Sequence, residues 1–257
     1  MIPVKTAAEI RKMREACRIA ATVLHKLCEF AGQGVNTYDL DQEGKRLLQS
    51  YGAESACFQY QVGSLIYPAH TCLSVNEEIV HGIGDLRRVL QDGDILTVDV
   101  CVRYEGFIGD NARTIAIGEV SPEKAFLLEA TEKALYKGID KARTGNRVGE
   151  ISNAVEKFIC ARDLGIVRDF VGHGVGRSMH EAPQIPNFGP RKRGEKLRPG
   201  MTLAIEPMIT LGSPRVKMAD DGWTALTADG SPSAHFEHTV LVTDGEPEIL
   251  TIPDLSS

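Results

Sequence analysis

Apolar residues near the start of the chain recur at steps of three and four, which is the spacing of one face of an α-helix. The stripe consists of Ile10, Met13, Cys17, Ala20, Leu24, Leu27 and Ala31. Thr6 and Glu9 form a capping-box signature in front of it, and Gly32 follows its last residue. A second helix is predicted to run from Thr37 to near Gly52.

The second half of the chain repeats this order of elements. Ser121 and Pro122 mark a helix start, because proline is favoured at the first helical position. A further helix is predicted to end at Gly165; its apolar side carries Val148, Ile151, Val155, Phe158 and Ile159. The strands predicted after it are Arg168–Val171, Met201–Ile209 and Phe236–Val242.

The order helix, helix, strands therefore occurs twice, with a break near residues 118–120. We expect an α+β fold in which residues 1–257 form one domain built from two pseudo-symmetric halves, about 1–119 and 120–257. A central antiparallel sheet should be covered on one face by the helices.

Residues 92–117 are predicted to form a β-hairpin, since apolar residues alternate through its first strand and residues 104–106 offer turn chemistry. Two acids, Asp99 and Asp110, lie on either side of that turn. A loop of residues 104 and 105 would place them directly opposite each other. A loop of residues 105 and 106 would pair Asp99 with Ala112 and leave Asp110 as a diagonal neighbour on the same face.

Composition narrows the class of protein. The chain has 257 residues, 42% of them hydrophobic and 25% charged, which is typical of a globular protein with a substantial core. Its net charge of −6 argues against nucleic-acid binding. No apolar run has the length of a signal peptide or a membrane span, and the six cysteines contain no C-x-x-C pair. We therefore expect a cytoplasmic protein with reduced thiols.

Acidic residues also interrupt two apolar strands of the second half. Glu206 and Glu237 lie where an unpaired charge would cost several kcal/mol, and His173 lies between two glycines. Together with Asp99 and Asp110 they form a set of four carboxylates and one imidazole, which suits Mn(II), Fe(II), Co(II) or Zn(II). Because four negative charges balance two divalent ions, the set predicts a two-metal centre.

Four segments of the chain resemble a known family. DVCVRYEGFIGD, GHGVGRSMHE, IEPM and FEHT, in this order and spacing, are similar to motifs of the methionine aminopeptidases, which have the pita-bread metallopeptidase fold. The interval between Glu206 and Trp223 is too short for the insertion of type II enzymes, so the chain resembles type I. The resemblance assigns the metal ligands to Asp99, Asp110, His173, Glu206 and Glu237.

The resemblance also implies catalytic roles. Glu206 would move the proton of the attacking water, His180 would stabilise the oxyanion, and His81 would contact the leaving amide nitrogen. The substrate-binding positions of the family match Cys57, Tyr60, Tyr67, Cys72, His81, Met179, His180 and Trp223. This apolar set suits the unbranched thioether of methionine. His235 shares strand parity with Glu237 and is a further candidate to line the site.

Three features depart from the family pattern. The segment Gln61–Ile66 is longer than usual, which puts most doubt on Tyr60 as a pocket residue. Met179 stands where an aromatic residue is common, and Cys101 stands where threonine is usual. Since Cys101 is two residues from Asp99 on the same strand face, its thiol is a candidate for an extra metal contact or for oxidation.

The function that the resemblance implies is removal of the N-terminal methionine from nascent proteins and peptides when the second residue is small. It implies two divalent metal ions per chain, no membrane attachment and a monomer, and association with the ribosome is compatible with this role. One alternative is an X-Pro aminopeptidase or dipeptidase of the same fold. Another is a non-catalytic member that binds peptides; such a chain would be expected to lose ligands, and none of the five is missing.

Overall fold

The structure, a computed structural model, describes residues 2–255. This part of the chain contains four α-helices: α1 (Ala7–Phe30), α2 (Thr37–Ser50), α3 (Pro122–Ile139) and α4 (Val148–Cys160). The predicted capping box is confirmed, because the Thr6 hydroxyl accepts from the Glu9 amide and the Glu9 carboxylate accepts from the Thr6 amide. The predicted end of the last helix at Gly165 is wrong. The chain leaves α4 after Cys160 through a turn in which Asp163 has a φ of +54°.

The strands are short apart from one long hairpin. They are β1 (Glu54–Ser55), β2 (Gln61–Val62), β3 (Leu65–Ile66), β4 (Cys72–Val75), β5 (Glu78–Val80), β6 (Ile95–Tyr104), β7 (Phe107–Ala116), β8 (Gly165–Ile166), β9 (Gly172–Gly174), β10 (Glu181–Ile185), β11 (Thr202–Ile205), β12 (Met208–Thr210), β13 (Val216–Met218), β14 (Ala225–Thr227), β15 (Ser233–His235), β16 (Glu237–Leu241) and β17 (Glu248–Ile249).

A nine-stranded antiparallel sheet forms the centre of the molecule. Seven of its strands follow the order β1-β6-β7-β16-β11-β9-β10, with β4 paired to β6 and β17 paired to β16. Smaller sheets join β15-β12-β8, β13-β14-β5 and the hairpin β2-β3. Among residues 2–255, none of the helices combines the length and hydropathy that a membrane span requires.

The helices cover one face of the central sheet. Val98 and Val100 of β6 pack with α1 and α2 in one apolar cluster. Leu203 of β11 and Val240 of β16 pack with α3 and α4 in another. The register across β7, which pairs Val100 with Asn111 and Asn111 with His238, places both clusters on the same face. The predicted α+β arrangement is confirmed. The opposite face of the sheet carries Asp99 and Asp110.

The register of the central hairpin decides how its two acids meet. Tyr104 pairs with Phe107, and the two loop residues Glu105 and Gly106 have φ values of +46° and +77°. Positive φ at both positions is the signature of the turn type that fits twisted hairpins. Asp99 is consequently opposite Ala112, which is the second of the two predicted registers, and Cys101 is opposite Asp110.

Two of the later strand predictions need correction. Residues 168–171 are not a strand but connect β8 to β9, which begins at Gly172. The backbones of β9 and β10 approach each other closely. A Cβ on Gly174 would lie 2.3 Å from the Ala182 carbonyl oxygen, so this position requires glycine. The predicted strand over residues 201–209 is broken at Pro207, which has no amide hydrogen to donate, and its second part, β12, joins a different sheet.

Candidate metal centre

The five predicted metal ligands come from five places in the fold and line one cavity of about 280 Å³. Asp99 projects from β6, Asp110 from β7, His173 from β9 and Glu237 from the start of β16, and Glu206 follows β11 directly. The register explains part of the convergence, since Asp99 and Glu237 both pair with Ala112. Side chains that share a strand row across a sheet point to the same face.

The ligand atoms form two overlapping groups. Single ligand atoms of Asp110, His173 and Glu237 lie within 4.8 Å of one another, and the same holds for Asp99, Cys101 and Asp110. Asp110 belongs to both groups. Carboxylate and imidazole ligands at this spacing fit divalent metal ions.

The orientation of His173 supports this fit. Its Nδ1 is 3.0 Å from the Gly174 carbonyl oxygen, and because a carbonyl only accepts, Nδ1 carries the hydrogen. The Nε2 lone pair then faces Glu206 Oε1 at 3.3 Å and Asp110 Oδ2 at 4.0 Å. Burial, together with the nearby His180, lowers the pKa of His173 to about 4, so its imidazole is neutral at pH 7. A lone pair directed at carboxylate oxygens is repulsive unless a proton or a cation lies between them.

The pKa values and the burial of the four carboxylates also indicate a site that requires neutralisation. Burial raises the pKa values of Asp99, Glu206 and Glu237 well above their usual range, and that of Asp110 to about 8. Within residues 2–255, Glu237 Oε1 is buried without a hydrogen-bond partner. Buried polar atoms normally have partners, and carboxylates that repel one another are neutralised by protons or by cations.

His235 occupies a position behind this cluster. Its Nε2 lies 3.5 Å from Glu206 Oε2, and its side chain is buried, but it is not among the residues that line the cavity. Burial lowers its pKa to about 4. It therefore contacts a candidate ligand rather than the cavity itself.

The two histidines predicted to act on the substrate lie in the same cavity. His81 has a φ of +62° and packs edge-on against Phe170 with 5.4 Å between ring centroids; burial lowers its pKa to about 4. His180 lies 4.5 Å from His173 between ring centroids, and burial lowers its pKa as well. A lowered pKa favours the neutral form of both imidazoles, in which one ring nitrogen donates a hydrogen bond and the other accepts one.

Tyr60, the pocket residue that the long neighbouring segment puts in most doubt, is in contact with His180. Its hydroxyl lies 2.9 Å from His180 Nδ1. If the phenol donates, Nε2 of His180 bears the hydrogen and can donate to another group. The long segment itself is the hairpin β2-β3, whose Val62 also lines the cavity.

The remaining substrate-binding candidates form the apolar part of the cavity wall. They are Cys57, Tyr67, Cys72, Met179 and Trp223. Tyr67 and Trp223 pack edge to face at 5.3 Å, and the Tyr67 hydroxyl donates to the Gly82 carbonyl oxygen at 2.8 Å. The structure adds lining residues that the sequence reasoning missed, namely Val62, Val80, Phe170, Val171 and Met208. Adjacency to His81 was an available signal for Val80, and position in the IEPM segment, two residues after Glu206, was one for Met208.

Comparisons with known proteins complete the description of the site. Residues 11–244 match the profile of metallopeptidase family M24. A methionine aminopeptidase of Clostridium acetobutylicum is 44% identical over 252 residues, which cover 98% of this chain and 99% of that protein. The structure of methionine aminopeptidase from Thermotoga maritima matches with a TM-score of 0.93 at 41% identity, covering 98% of this chain and 99% of that chain. The prolidase from Pyrococcus horikoshii shares the fold with a TM-score of 0.77 at 21% identity, but this chain covers only 64% of it.

Proposed function

The chain belongs to the M24 metallopeptidase family, and from that premise we propose that it is a methionine aminopeptidase of type I. It would remove the N-terminal methionine from peptides and nascent proteins, preferentially when the second residue is small. The pita-bread fold is shared with the solved relatives. The main support for the proposal is that two ligand groups overlap at Asp110. Both groups line a cavity that also has an apolar wall.

The proposed cofactor is a pair of divalent ions held by Asp99, Asp110, His173, Glu206 and Glu237. Such ions, when bound, lower the pKa of a coordinated water and polarise a carbonyl oxygen. Fe(II), Mn(II), Co(II) and Zn(II) all suit this donor set, so availability in the cell would select among them. A free α-amino group on the substrate would bind the ions as a further ligand, which would limit removal to the terminal residue.

The residues around the ions would divide the proton transfers and charge stabilisation between them. Glu206 is the proposed base, because the resemblance gives this role to a ligand glutamate and its carboxylate is buried beside His173 and His235. His180 would donate a hydrogen bond to the developing oxyanion. His81, which packs edge-on against Phe170, would contact the leaving amide nitrogen of the substrate.

The specificity would come from the cavity wall. Tyr67 and Trp223 are rigid aromatic surfaces, and Cys57, Cys72 and Met179 are polarizable sulfur side chains. A straight thioether is apolar, flexible and polarizable, so it packs well among such groups.

The test is a direct comparison of Met-Ala-Ser with Ala-Pro-Ala as substrates, after reconstitution with each of the four metals and measurement of metal content. Release of methionine from the first peptide supports the proposal, whereas cleavage of the proline peptide alone identifies an X-Pro peptidase. Two bound ions without hydrolysis of either peptide would identify a non-catalytic binder. His81→Ala and His180→Ala should each reduce kcat while the metal content stays unchanged, and a variant with normal kcat has no catalytic role.

A further inference from the structure

Cys101 is the side chain at the metal centre that the proposed function does not use. It lies on β6 two residues after Asp99 and pairs directly with Asp110 on β7, so all three side chains share one face of the sheet. Its side chain is buried and lines the same cavity as the five candidate ligands.

The distances place the sulfur among ligand atoms. Cys101 Sγ is 2.8 Å from Asp110 Oδ1 and 3.8 Å from Asp99 Oδ1. Ligand atoms of the three residues lie within 4.8 Å of one another. A sulfur and an oxygen ligand on opposite sides of one zinc ion are separated by at most about 4.4 Å, because the metal–sulfur distance is about 2.3 Å and the metal–oxygen distance about 2.1 Å. The three atoms are therefore close enough to share an ion with little movement.

Cys57 and Cys72 provide an internal comparison. Both line the cavity, and Cys72 pairs with Asp99 across the sheet. Within residues 2–255, however, no group of three candidate ligand atoms within 4.8 Å includes either of them. The position of Cys101 between two carboxylates is thus not a general property of the cysteines in this cavity.

We propose that Cys101 is an additional ligand of the ion held by Asp99 and Asp110, an inference that rests on the proposed metal-dependent function. On binding, the S–H bond breaks, the proton passes to solvent, and the sulfur lone pair forms a bond to the metal. Thiolate ligands favour softer ions, so this centre should prefer Zn(II), Co(II) and the probe ion Cd(II) over Mn(II).

The experiment is an optical titration of the metal-free full-length chain with Co(II) and with Cd(II), following the ultraviolet sulfur-to-metal charge-transfer band. A Cys160→Ser background removes the exposed thiol, which would otherwise bind added metal. Bound metal is quantified in parallel by elemental analysis. In this background we expect a charge-transfer band that saturates in step with metal binding. Cys101→Ser and Cys101→Thr should abolish it, and Cys57→Ser should retain it.

A competition measurement provides a second readout, because the ratio of two affinities is insensitive to structural changes that affect both ions equally. The ratio of Cd(II) affinity to Mn(II) affinity should fall by about tenfold or more in Cys101→Thr, because only the softer ion loses a preferred ligand. Circular dichroism on the same samples establishes that the variants are folded.

The outcomes separate this inference from the function on which it rests. Stoichiometric metal binding without a charge-transfer band, or a band that persists in both Cys101 variants, would overturn the thiolate ligand and leave the aminopeptidase proposal intact. Failure of the parent protein to bind divalent metal would overturn both. A band lost only from the Cys101 variants, with an altered Cd(II) to Mn(II) ratio, supports the ligand.

Discussion

Replacing Tyr60 by phenylalanine tests whether the substrate pocket and the catalytic histidine act together. The phenol oxygen lies 2.9 Å from His180 Nδ1, and the two rings meet edge to face with 5.6 Å between centroids. The Tyr60→Phe variant keeps the ring contact and removes only the hydroxyl. His180 would then lose the partner that selects its tautomer and directs its other nitrogen toward the substrate.

The expected size of the effect follows from the single hydrogen bond. A hydrogen bond of this kind contributes about 0.5–1.5 kcal/mol net. If the hydrogen bond stabilises the transition state but not the bound substrate, kcat should fall by about two- to tenfold, since about 1.4 kcal/mol corresponds to a factor of ten. KM should change less, because the apolar wall of the pocket is unaltered. The melting temperature should stay near that of the parent, because Tyr60 is only half-buried.

The assay is steady-state hydrolysis of Met-Ala-Ser at fixed metal loading, with thermal unfolding recorded on the same samples. Tyr38→Phe is the matched control, since Tyr38 is exposed and outside the cavity. An unchanged kcat in Tyr60→Phe would refute the coupling between Tyr60 and His180. A large rise in KM with normal kcat would instead make Tyr60 a binding residue alone.

Two further predictions concern stability. The folded-state pKa of Asp110 is about 8, above the usual 3.8, so the folded chain binds this proton more tightly than the unfolded chain does. The resulting contribution to the free energy of unfolding is fully present below about pH 4 and is lost as the pH rises toward about 8. The melting temperature of the metal-free chain should therefore fall across this window, and Mn(II) should raise it most at the alkaline end; equal stabilisation at both ends would contradict this. Gly109→Ala should lower the melting temperature by several degrees, corresponding to about 1–3 kcal/mol, because the new Cβ would lie 2.5 Å from the Ala16 carbonyl oxygen. Gly32→Ala, with no atom within 4 Å of the new Cβ, is the control in calorimetry, and equal melting temperatures for the two variants would argue against the close packing of α1 on β7.

The helices show how far local patterns extend. The start of α1 at the Thr6 cap and the start of α3 at Pro122 were predicted correctly, because caps and apolar periodicity depend on residues within one or two turns. The end of α4 was predicted five residues too late. Apolar residues continue beyond Cys160, but a left-handed residue at Asp163 redirects the chain into β8, which is paired with a strand more than 40 residues away.

The strands show where local patterns fail. Residues 168–171 were predicted to form a strand, yet pairing begins only at Gly172, where the neighbouring backbones approach too closely for a side chain. Pro207 divides another predicted strand between two sheets. The proposed internal duplication into residues 1–119 and 120–257 stays a prediction.

Residue types and short spacings were enough to predict the chemistry of this chain: four carboxylates and a histidine in segments that resemble one metallopeptidase family, and an apolar set suited to methionine. Three relations became visible only in the folded chain: Asp110 lies in both ligand groups, Tyr60 contacts His180, and Cys101 lies between two carboxylates. These relations depend on strand register and on contacts between residues up to 127 positions apart, where a shift of one residue would turn each side chain to the other face of the sheet.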